Sequence, residues 1–165
     1  MQGTTQDYSI RTIEPEDNQA LALVVRNTLA EFGANKPGTV YFDPTTDALC
    51  EVFQKPRSIY YVVLKDDKII GGGGIYPTDG LPGDTCELVK MYLLPEARGI
   101  GLGKLLIEKC LEFAKEASYE NVYLETMPEL IIAVPMYEKM GFSYLKAPLG
   151  NSGHDGCGIW MTKLL

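Results

Sequence analysis

The segment PEARGIGLGKLL, residues 95–106, holds the residues whose types and spacing most directly indicate chemistry. Glycine occupies every second position from Gly99 to Gly103, and the cations Arg98 and Lys104 flank this run. Glycine weakens the first turn of a helix, so bare backbone must bring another advantage there. Backbone amides at a helix N-terminus, at the positive end of the helix dipole, form a site for an anion. A tight turn from strand to helix explains the same spacing, and the spacing alone leaves both interpretations open.

Two phosphate-binding motifs built on glycine loops do not match this segment. A P-loop needs a glycine five residues before its glycine-lysine pair and a serine or threonine after it. Arg98 and Leu105 stand at those two positions. The dinucleotide fingerprint G-x-G-x-x-G is matched neither at 99–104 nor in the second glycine cluster, at 71–76. The spacing therefore excludes both motifs, although the physical basis of an anion site remains.

Two other side chains are candidates for acid–base chemistry. Glu87 lies in the apolar run TCELVKMYLL (85–94), where a carboxylate costs free energy unless water or a partner reaches it, so it indicates a cleft. An exposed sheet edge and an ion pair are the alternatives for Glu87. His154, the only histidine, lies in a loop and titrates in the range useful to a base or a substrate contact. A solvated histidine without a role is the alternative there.

The composition limits the partners of this chain. Its 165 residues carry a formal net charge of −7, which argues against nucleic acid and is compatible with a cationic substrate such as an amine. No apolar run reaches membrane-spanning length, and the first residues lack a signal-peptide pattern, so we expect a cytoplasmic protein without a membrane partner. Four cysteines without CxxC spacing predict reduced thiols, and the single histidine predicts no metal site.

Hydrophobic periodicity predicts alternating strands and helices without repeats. Strands are predicted at 8–13, 58–64, 68–76, 85–94, 121–126, 142–146 and 158–164, and helices at 15–32, 44–53, 101–117 and 129–140. This order predicts an α/β fold with a mixed sheet, helices on both faces, and one domain over residues 1–165. The buried stripe predicted for the third helix consists of Leu102, Leu105, Leu106, Cys110, Phe113 and Ala114. The glycines at 71–74 predict a bulge or a close backbone approach.

Three segments together resemble the GNAT superfamily of acyl-CoA-dependent N-acetyltransferases. RGIGLG matches the signature R/Q-x-x-G-x-G/A, and ELVKMYLLPEARGIGLGKLLIEKCLEFAKE resembles the signature strand, loop and helix around it. AVPMYEKMGF resembles the later segment A-x-x-x-Y-x-x-x-G-F. The segments cover about a third of the chain in the order of the family. This combination is specific, whereas a lone RGxGxG is not.

The resemblance implies transfer of an acetyl group from acetyl-CoA, as co-substrate, directly to an amine without a metal. It also implies a mostly antiparallel sheet of six or seven strands, splayed at the cofactor site. Backbone amides of the glycine loop would bind the pyrophosphate, and the backbone of the preceding strand would bind the pantetheine arm. The cofactor-binding residues carried over by position are Met91, Leu93, Arg98, Gly99, Ile100, Gly101, Leu102, Gly103 and Lys104.

The resemblance also implies two catalytic residues. Tyr137 matches the position that protonates the departing thiolate, and a phenol suits this because its ordinary pKa is close to that of an alkylthiol. A tyrosine packed on a helix face is the alternative. Glu87 matches a position used by several family members to deprotonate the amine, and strand alternation places it on the same face as Met91. His154 would border the acceptor cleft, as a base or a substrate contact.

Two departures from the family pattern bear on this site. Leu130 stands where the family often has an asparagine that contacts the cofactor. Pro135 lies inside the predicted helix at 129–140, where it removes a backbone donor and predicts a kink before Tyr137. A CoA-binding sensor or interaction module without activity is the second function class. The acceptor is not identified beyond a small-molecule or peptide amine, and dimerisation, common in the family, stays open.

Overall fold

The computed structural model describes residues 8–165, and its strands and helices follow the predicted order. The strands are β1 (Tyr8–Thr12), β2 (Ile59–Lys65), β3 (Lys68–Tyr76), β4 (Thr85–Leu93), β5 (Asn121–Thr126), β6 (Ser143–Leu145) and β7 (Ile159–Leu164). The α-helices are α1 (Asn18–Glu31), α2 (Leu49–Val52), α3 (Leu102–Glu116) and α4 (Ala133–Lys139). Short 3-10 turns lie at Pro15–Asp17, Val40–Phe42, Pro44–Asp47 and Pro95–Ala97. Among residues 8–165, no helix has the length and apolar character needed to span a membrane.

The strands form one seven-stranded sheet in the order β1-β2-β3-β4-β5-β7-β6. Neighbouring strands are antiparallel except β4 and β5, which are parallel. Pairing between β4 and β5 runs only from Thr85 to Glu87, opposite 121–123, although both strands continue beyond it. The predicted splay of the sheet is therefore present, and it opens a gap between the C-terminal halves of β4 and β5.

Helices cover both faces of the sheet, as the alternation in β2 requires. Val62 and Leu64 pack into a buried cluster with residues of α1 and α2, whereas Val63 packs on the opposite face with Leu102 and Leu106 of α3. In α3 the predicted buried stripe is wrong at Leu105, which is 45% exposed. Ile107 is fully buried in its place, because the helix presents positions 102, 106, 107, 110 and 114 to the sheet.

The glycines of β3 lie opposite a bulge in β4. The register between β3 and β4 shifts between Gly72 and Gly74, and Lys90 of β4 has a φ of +52°. A Cβ on Gly73 would overlap the Met91 side chain, so this glycine permits a close approach. The Tyr60 hydroxyl donates a hydrogen bond of 2.8 Å to the Lys90 carbonyl and so stabilises the bulge.

The structure corrects the predicted helix at 129–140. The helix α4 begins only at Ala133, after a turn, so Pro135 is its third residue. The first N–H groups of a helix have no partner within it, and proline there removes no hydrogen bond. The predicted kink therefore does not arise, and Tyr137 follows in the second turn of α4.

Candidate active site

The gap between β4 and β5 exposes backbone groups of β4. The Leu94 amide donates to the Ile70 carbonyl of β3 at 2.8 Å. Because successive residues of a strand point their backbone groups to opposite edges, the N–H and C=O of Leu93 point away from β3, toward the gap. The predicted cofactor contact Leu93 therefore has its amide at the unpaired edge of the sheet.

The N-terminus of α3 lies next to this edge and is bare. Gly101 is its N-cap residue, and no side chain caps the helix, so its first amides have no side-chain partner. Gly99 and Gly101 have φ values of +77° and +83°, and a Cβ on either would meet no atom within 4 Å. Gly103 differs, because a Cβ there would lie 3.0 Å from Met136 Sδ. The first two glycines shape an open loop, and the third allows α4 to pack against α3.

Arg98, which the resemblance places among the cofactor-binding residues, is already bound by other groups of the protein. Its guanidinium donates to both carboxylate oxygens of Glu31, at 2.9 and 2.7 Å, and to the Leu93 carbonyl, at 3.1 and 2.9 Å. It also lies 4.9 Å from the ring centroid of Phe32. The hydrogen bonds from Arg98 lower the pKa of Glu31. Arg98 thus joins α1 to the end of β4 and binds the Leu93 carbonyl, leaving the Leu93 amide open.

Two cavities meet within the gap. One lies between α1, the end of β4 and α4, and its lining includes Met91, Leu93 and Arg98. The other lies between β4 and β5, and its lining includes Glu87 and His154. Tyr92 and Leu130 line both cavities, so the two cavities adjoin there and are together called the passage. Leu130 is buried and packs with apolar neighbours, and its side chain provides no hydrogen bond in place of the asparagine common in the family.

A third cavity, of about 350 Å³, lies beside the glycine loop between α3 and α4. Lys104 and Lys139 line it together with apolar residues of α4. The Lys104 ammonium has only a loose ion pair with Glu108, at 3.9 Å. Two ammonium groups next to a bare helix N-terminus make this corner attractive to phosphate groups.

Glu87 is only 3% exposed, which excludes the alternative of an exposed sheet edge. The Thr78 hydroxyl donates to its Oε2 at 2.9 Å. Burial, with Glu125 nearby, raises the pKa of Glu87 to about 7, while Thr78 and Lys90 oppose the rise. Among residues 8–165, every fully buried side-chain nitrogen or oxygen has a hydrogen-bond partner. The Glu87 Oε1 has no partner, so it is not fully buried and is accessible from the cavity. Glu87 therefore has one carboxyl oxygen without a hydrogen bond, and its carboxyl titrates near neutral pH.

The expectation that Glu87 and Met91 share a face of the sheet is wrong. Met91 packs toward α3 with Leu102 and Leu106, whereas Glu87 lines cavities on the α1 side of the sheet. The bulge at Lys90 inserts an extra residue between them, and this reverses the alternation of β4.

Tyr137 is buried in the core and packs edge-on against Phe142 at a centroid distance of 5.9 Å. Its hydroxyl makes no hydrogen bond with any residue from 8 to 165. Every fully buried polar side-chain atom of these residues has a partner, so the Tyr137 hydroxyl is not fully buried and an incoming group can reach it. Burial raises the pKa of the phenol well above its usual range. Tyr137 therefore combines a packed ring with an O–H that stays protonated and unpaired.

The alternative of a solvated His154 is wrong. Its Nε2 lies 2.7 Å from Asp43 Oδ2, and the side chains of His154 and Asp43 are only 14% and 20% exposed. Burial would raise the pKa of Asp43, but hydrogen bonds from His154 and from the amide and hydroxyl of Thr45 hold it near 2. The pair joins the last long loop to the segment after α1 and lines the cleft beside Glu87.

Sequence reasoning missed three residues of this cleft. Glu125 of β5 accepts hydrogen bonds from the hydroxyls of Tyr123, at 2.6 Å, and Ser152. Like Glu87, it is a carboxylate in an apolar strand, and that signal could have found it. Lys90 and Tyr92 gave no such signal, because the bulge alone decides which face each of them occupies.

The Cys157 thiol beside the cleft is poorly suited to act as a nucleophile. Burial, with Glu125 and Glu87 nearby, raises the pKa of the Cys157 thiol to about 12, so its thiolate is scarce near neutral pH. Residues 8–165 contain no group of three or more His, Cys, Asp or Glu side chains arranged to hold a metal ion.

Comparisons with known proteins agree with this geometry. The profile of the Acetyltransferase (GNAT) family matches residues 25–142. The chain is 41% identical to the uncharacterized N-acetyltransferase YjgM of Escherichia coli K12, over 97% of this chain and 96% of that protein. A GNAT acetyltransferase structure from Staphylococcus aureus Mu50 aligns with a TM-score of 0.85 at 18% identity, over 96% of this chain and 99% of the other. The PaiA N-acetyltransferase of Thermoplasma acidophilum, solved with coenzyme A, aligns with a TM-score of 0.76 at 18% identity, over 97% of this chain and all of that one.

Proposed function

The chain is a member of the GNAT family of N-acetyltransferases, and we propose that it transfers acetyl from acetyl-CoA to a primary amine held between β4 and β5. One observation carries this proposal. The pairing of β4 with β5 ends at Glu87, and from this carboxyl, which titrates near neutral pH, the passage follows β4 to Leu93 and Arg98. The glycine loop and the bare N-terminus of α3 come directly after Arg98 in the chain.

The cofactor end of the passage suits acetyl-CoA. The open amides from Gly99 to Lys104 would donate hydrogen bonds to the pyrophosphate, since no side chain obstructs or caps them. Lys104 and Lys139 would add positive charge beside it. The Leu93 amide, and by the spacing of two residues the Met91 backbone at the same edge, would bind the pantetheine arm. Arg98 orders this edge through the Leu93 carbonyl rather than meeting the phosphates.

Glu87 is the proposed general base. An alkylammonium acceptor is almost fully protonated at neutral pH and must lose a proton before its nitrogen can attack the thioester carbonyl. Burial raises the pKa of Glu87 to about 7, which makes its carboxylate a much better base than an exposed glutamate. Its free oxygen, Oε1, can take the proton directly or through a water.

Tyr137 is the proposed general acid. When the C–N bond forms and the C–S bond breaks, the sulfur leaves with the electron pair and needs a proton. The open hydroxyl of Tyr137 can donate it, and the raised pKa of the phenol keeps that proton in place until negative charge develops beside it. The overall reaction converts the ammonium and acetyl-CoA into the N-acetyl product, the free thiol and one released proton. Glu87 takes the first proton of the ammonium before attack. The nitrogen loses its second proton once the C–N bond has formed, and that proton restores the phenol of Tyr137 after Tyr137 has protonated the thiolate.

We place this reaction in the cytoplasm. All four cysteines are unpaired, which fits a reducing compartment.

Thiol release from acetyl-CoA, measured with panels of amino acids, peptides, polyamines and aminoglycosides, tests the proposal. We expect acceptor-dependent release with equal formation of the N-acetyl product. Binding of acetyl-CoA without release or product for any acceptor would instead support a sensor.

A further inference from the structure

Lys90 occupies a position that ordinary strand geometry would not give it. Regular alternation from Leu88, which packs in the core toward α3, would direct Lys90 to that same apolar face. The bulge, with a φ of +52° at Lys90, instead lets the side chain line the cleft with Glu87 and His154. A left-handed backbone at a lysine is strained, so the surrounding structure must hold it. Tyr60 does this through the Lys90 carbonyl, at 2.8 Å.

The ammonium of Lys90 has no direct partner within residues 8–165. It forms neither a hydrogen bond nor an ion pair within 4.0 Å, although Asp43 and Glu87 act on it from a longer range. Asp43 already accepts hydrogen bonds at both oxygens, from His154 and Thr45. The Asp43 carboxylate is therefore already paired with groups other than Lys90.

The other carboxylates of the cleft do not supply that partner. Both oxygens of Glu125 are bound, by Tyr123 and Ser152. The carboxylate oxygens of the cleft without a hydrogen bond are Oε1 of Glu87 and those of Asp79, which is exposed at the rim. Among the described residues that line this cleft, Lys90 is the one lysine or arginine, three residues from Glu87 on β4, and neither carboxylate pairs with its ammonium. Burial lowers the pKa of Lys90, which shows that its charge is poorly solvated there.

We propose that Lys90 selects acceptors that carry a carboxylate beside the primary amine, as in a free α-amino acid, by pairing its ammonium with that carboxylate. The inference rests on the proposed acetyl transfer and names its substrate class. The amine of such an acceptor meets Glu87, and its carboxylate supplies the counterion that Lys90 lacks. A polyamine would bring a second ammonium toward Lys90, where like charges repel.

The acceptor side chain has room in the adjoining cavity. That cavity has a volume of about 390 Å³ and shares Glu125 and His154 with the cleft around Glu87. Trp160 and loop residues 150–155 line the rest of it. Its mixed polar and aromatic lining accommodates a side chain of moderate size.

The test compares matched acceptors in the wild type and in Lys90→Met. The acceptors are the proteinogenic L-amino acids, their primary amides and their decarboxylated amines, assayed by thiol release at saturating acetyl-CoA. We expect the wild type to favour the acid over its amide by about tenfold or more in kcat/KM, as a charge-assisted hydrogen bond allows. Lys90→Met reduces this preference to about twofold or less, mainly through KM, and Lys90→Arg restores part of it. Lys115→Met, at an exposed lysine of α3 outside every cavity described above, is the matched control and keeps the wild-type preference.

Three results overturn the assignment of Lys90. The first is equal use of acids and amides by the wild type, and the second is a loss in Lys90→Met that is equal for both. The third is turnover of polyamines or peptide lysines alone, which leaves acetyl transfer intact. A melting scan with CoA separates the two proposals. If CoA does not raise the Tm of the wild type, both the proposed cofactor site and the inference about Lys90 are overturned.

Discussion

The two ends of the passage between β4 and β5 are built from different parts of the chain. The proposed cofactor end consists mainly of backbone: a bare helix N-terminus, two glycines with left-handed φ, and the open edge of β4. The acceptor end consists of side chains that bind one another, including Thr78 with Glu87 and His154 with Asp43. Backbone groups do not titrate, whereas the carboxyls of Glu87 and Asp43 have shifted pKa values.

This difference implies a division of labour. A ligand common to many related enzymes can be held by groups that every sequence possesses, provided that glycine leaves them open. A particular acceptor must be recognised by side chains. Substitutions at one end should therefore leave the other end working, and each prediction below tests that separation.

Tyr137→Phe is expected to have the largest effect. It removes the proton donor for the thiolate but keeps the ring against Phe142, so kcat should fall by about 10³-fold. Acetyl-CoA should still raise the Tm as in the wild type. Tyr119→Phe is the matched control, because Tyr119 is also a buried tyrosine of this face, but its hydroxyl donates to the Arg57 carbonyl. Wild-type turnover in Tyr137→Phe would make Tyr137 a packing residue.

Glu87→Gln should lower kcat/KM by about 10²-fold near pH 7 and leave acetyl-CoA affinity unchanged. The loss should shrink in alkaline solution, where free amine is present without a base. Identical pH–rate curves for the two proteins would contradict the assignment of Glu87 and direct attention to His154.

Stability provides a second readout of the same variant. The pKa of Glu87 is raised on folding from an ordinary value of 4.5 to about 7, so its ionisation opposes folding as the pH rises through this interval. Glu87→Gln should therefore stabilise the protein above pH 7, by about 3 kcal/mol at most, and have little effect at pH 4.5 or below. Urea titrations at both pH values measure the difference.

Gly101→Glu tests the cofactor end. A ligand at a hundredfold excess over its dissociation constant stabilises the folded state by about 2.7 kcal/mol, and this variant should lose most of that gain with acetyl-CoA. Gly153→Glu is a matched control at the acceptor end, because Gly153 also has a positive φ, of +78°, and open space at its Cβ. Equal responses to acetyl-CoA in both variants would remove the cofactor from the glycine loop.

Thr78→Val should have the smallest effect. The Thr78 hydroxyl stabilises the ionised form of Glu87, so its removal should raise the pKa of Glu87 further above 7. The acidic limb of the kcat/KM profile should move to higher pH by roughly one unit or less. A limb that moves to lower pH would show that another group controls it.

Local patterns predicted much of the fold. Strand β5 lies at 121–126 as its periodicity indicated, and α3 lies within one residue of its predicted ends. Its predicted start followed from Gly101, which is the N-cap in a left-handed conformation. Predictions failed at Leu105 and Pro135, where packing against neighbouring elements decided exposure and the start of α4.

The sequence by itself located the proposed cofactor end, because the glycine loop, the helix after it and the apolar strand before it, which carry the family resemblance, belong to one continuous segment. Only the tertiary structure decided the acceptor end. His154 meets Asp43 across 111 positions of the chain, and Glu125 reaches the cleft from a strand that pairs with β4 over a few residues alone. The bulge at Lys90 reverses the alternation that sequence reasoning must assume. The backbone of the glycine loop follows from neighbours in sequence. The bulge at Lys90, the partners of a side chain and the pKa of that side chain depend on residues that only the completed fold brings near.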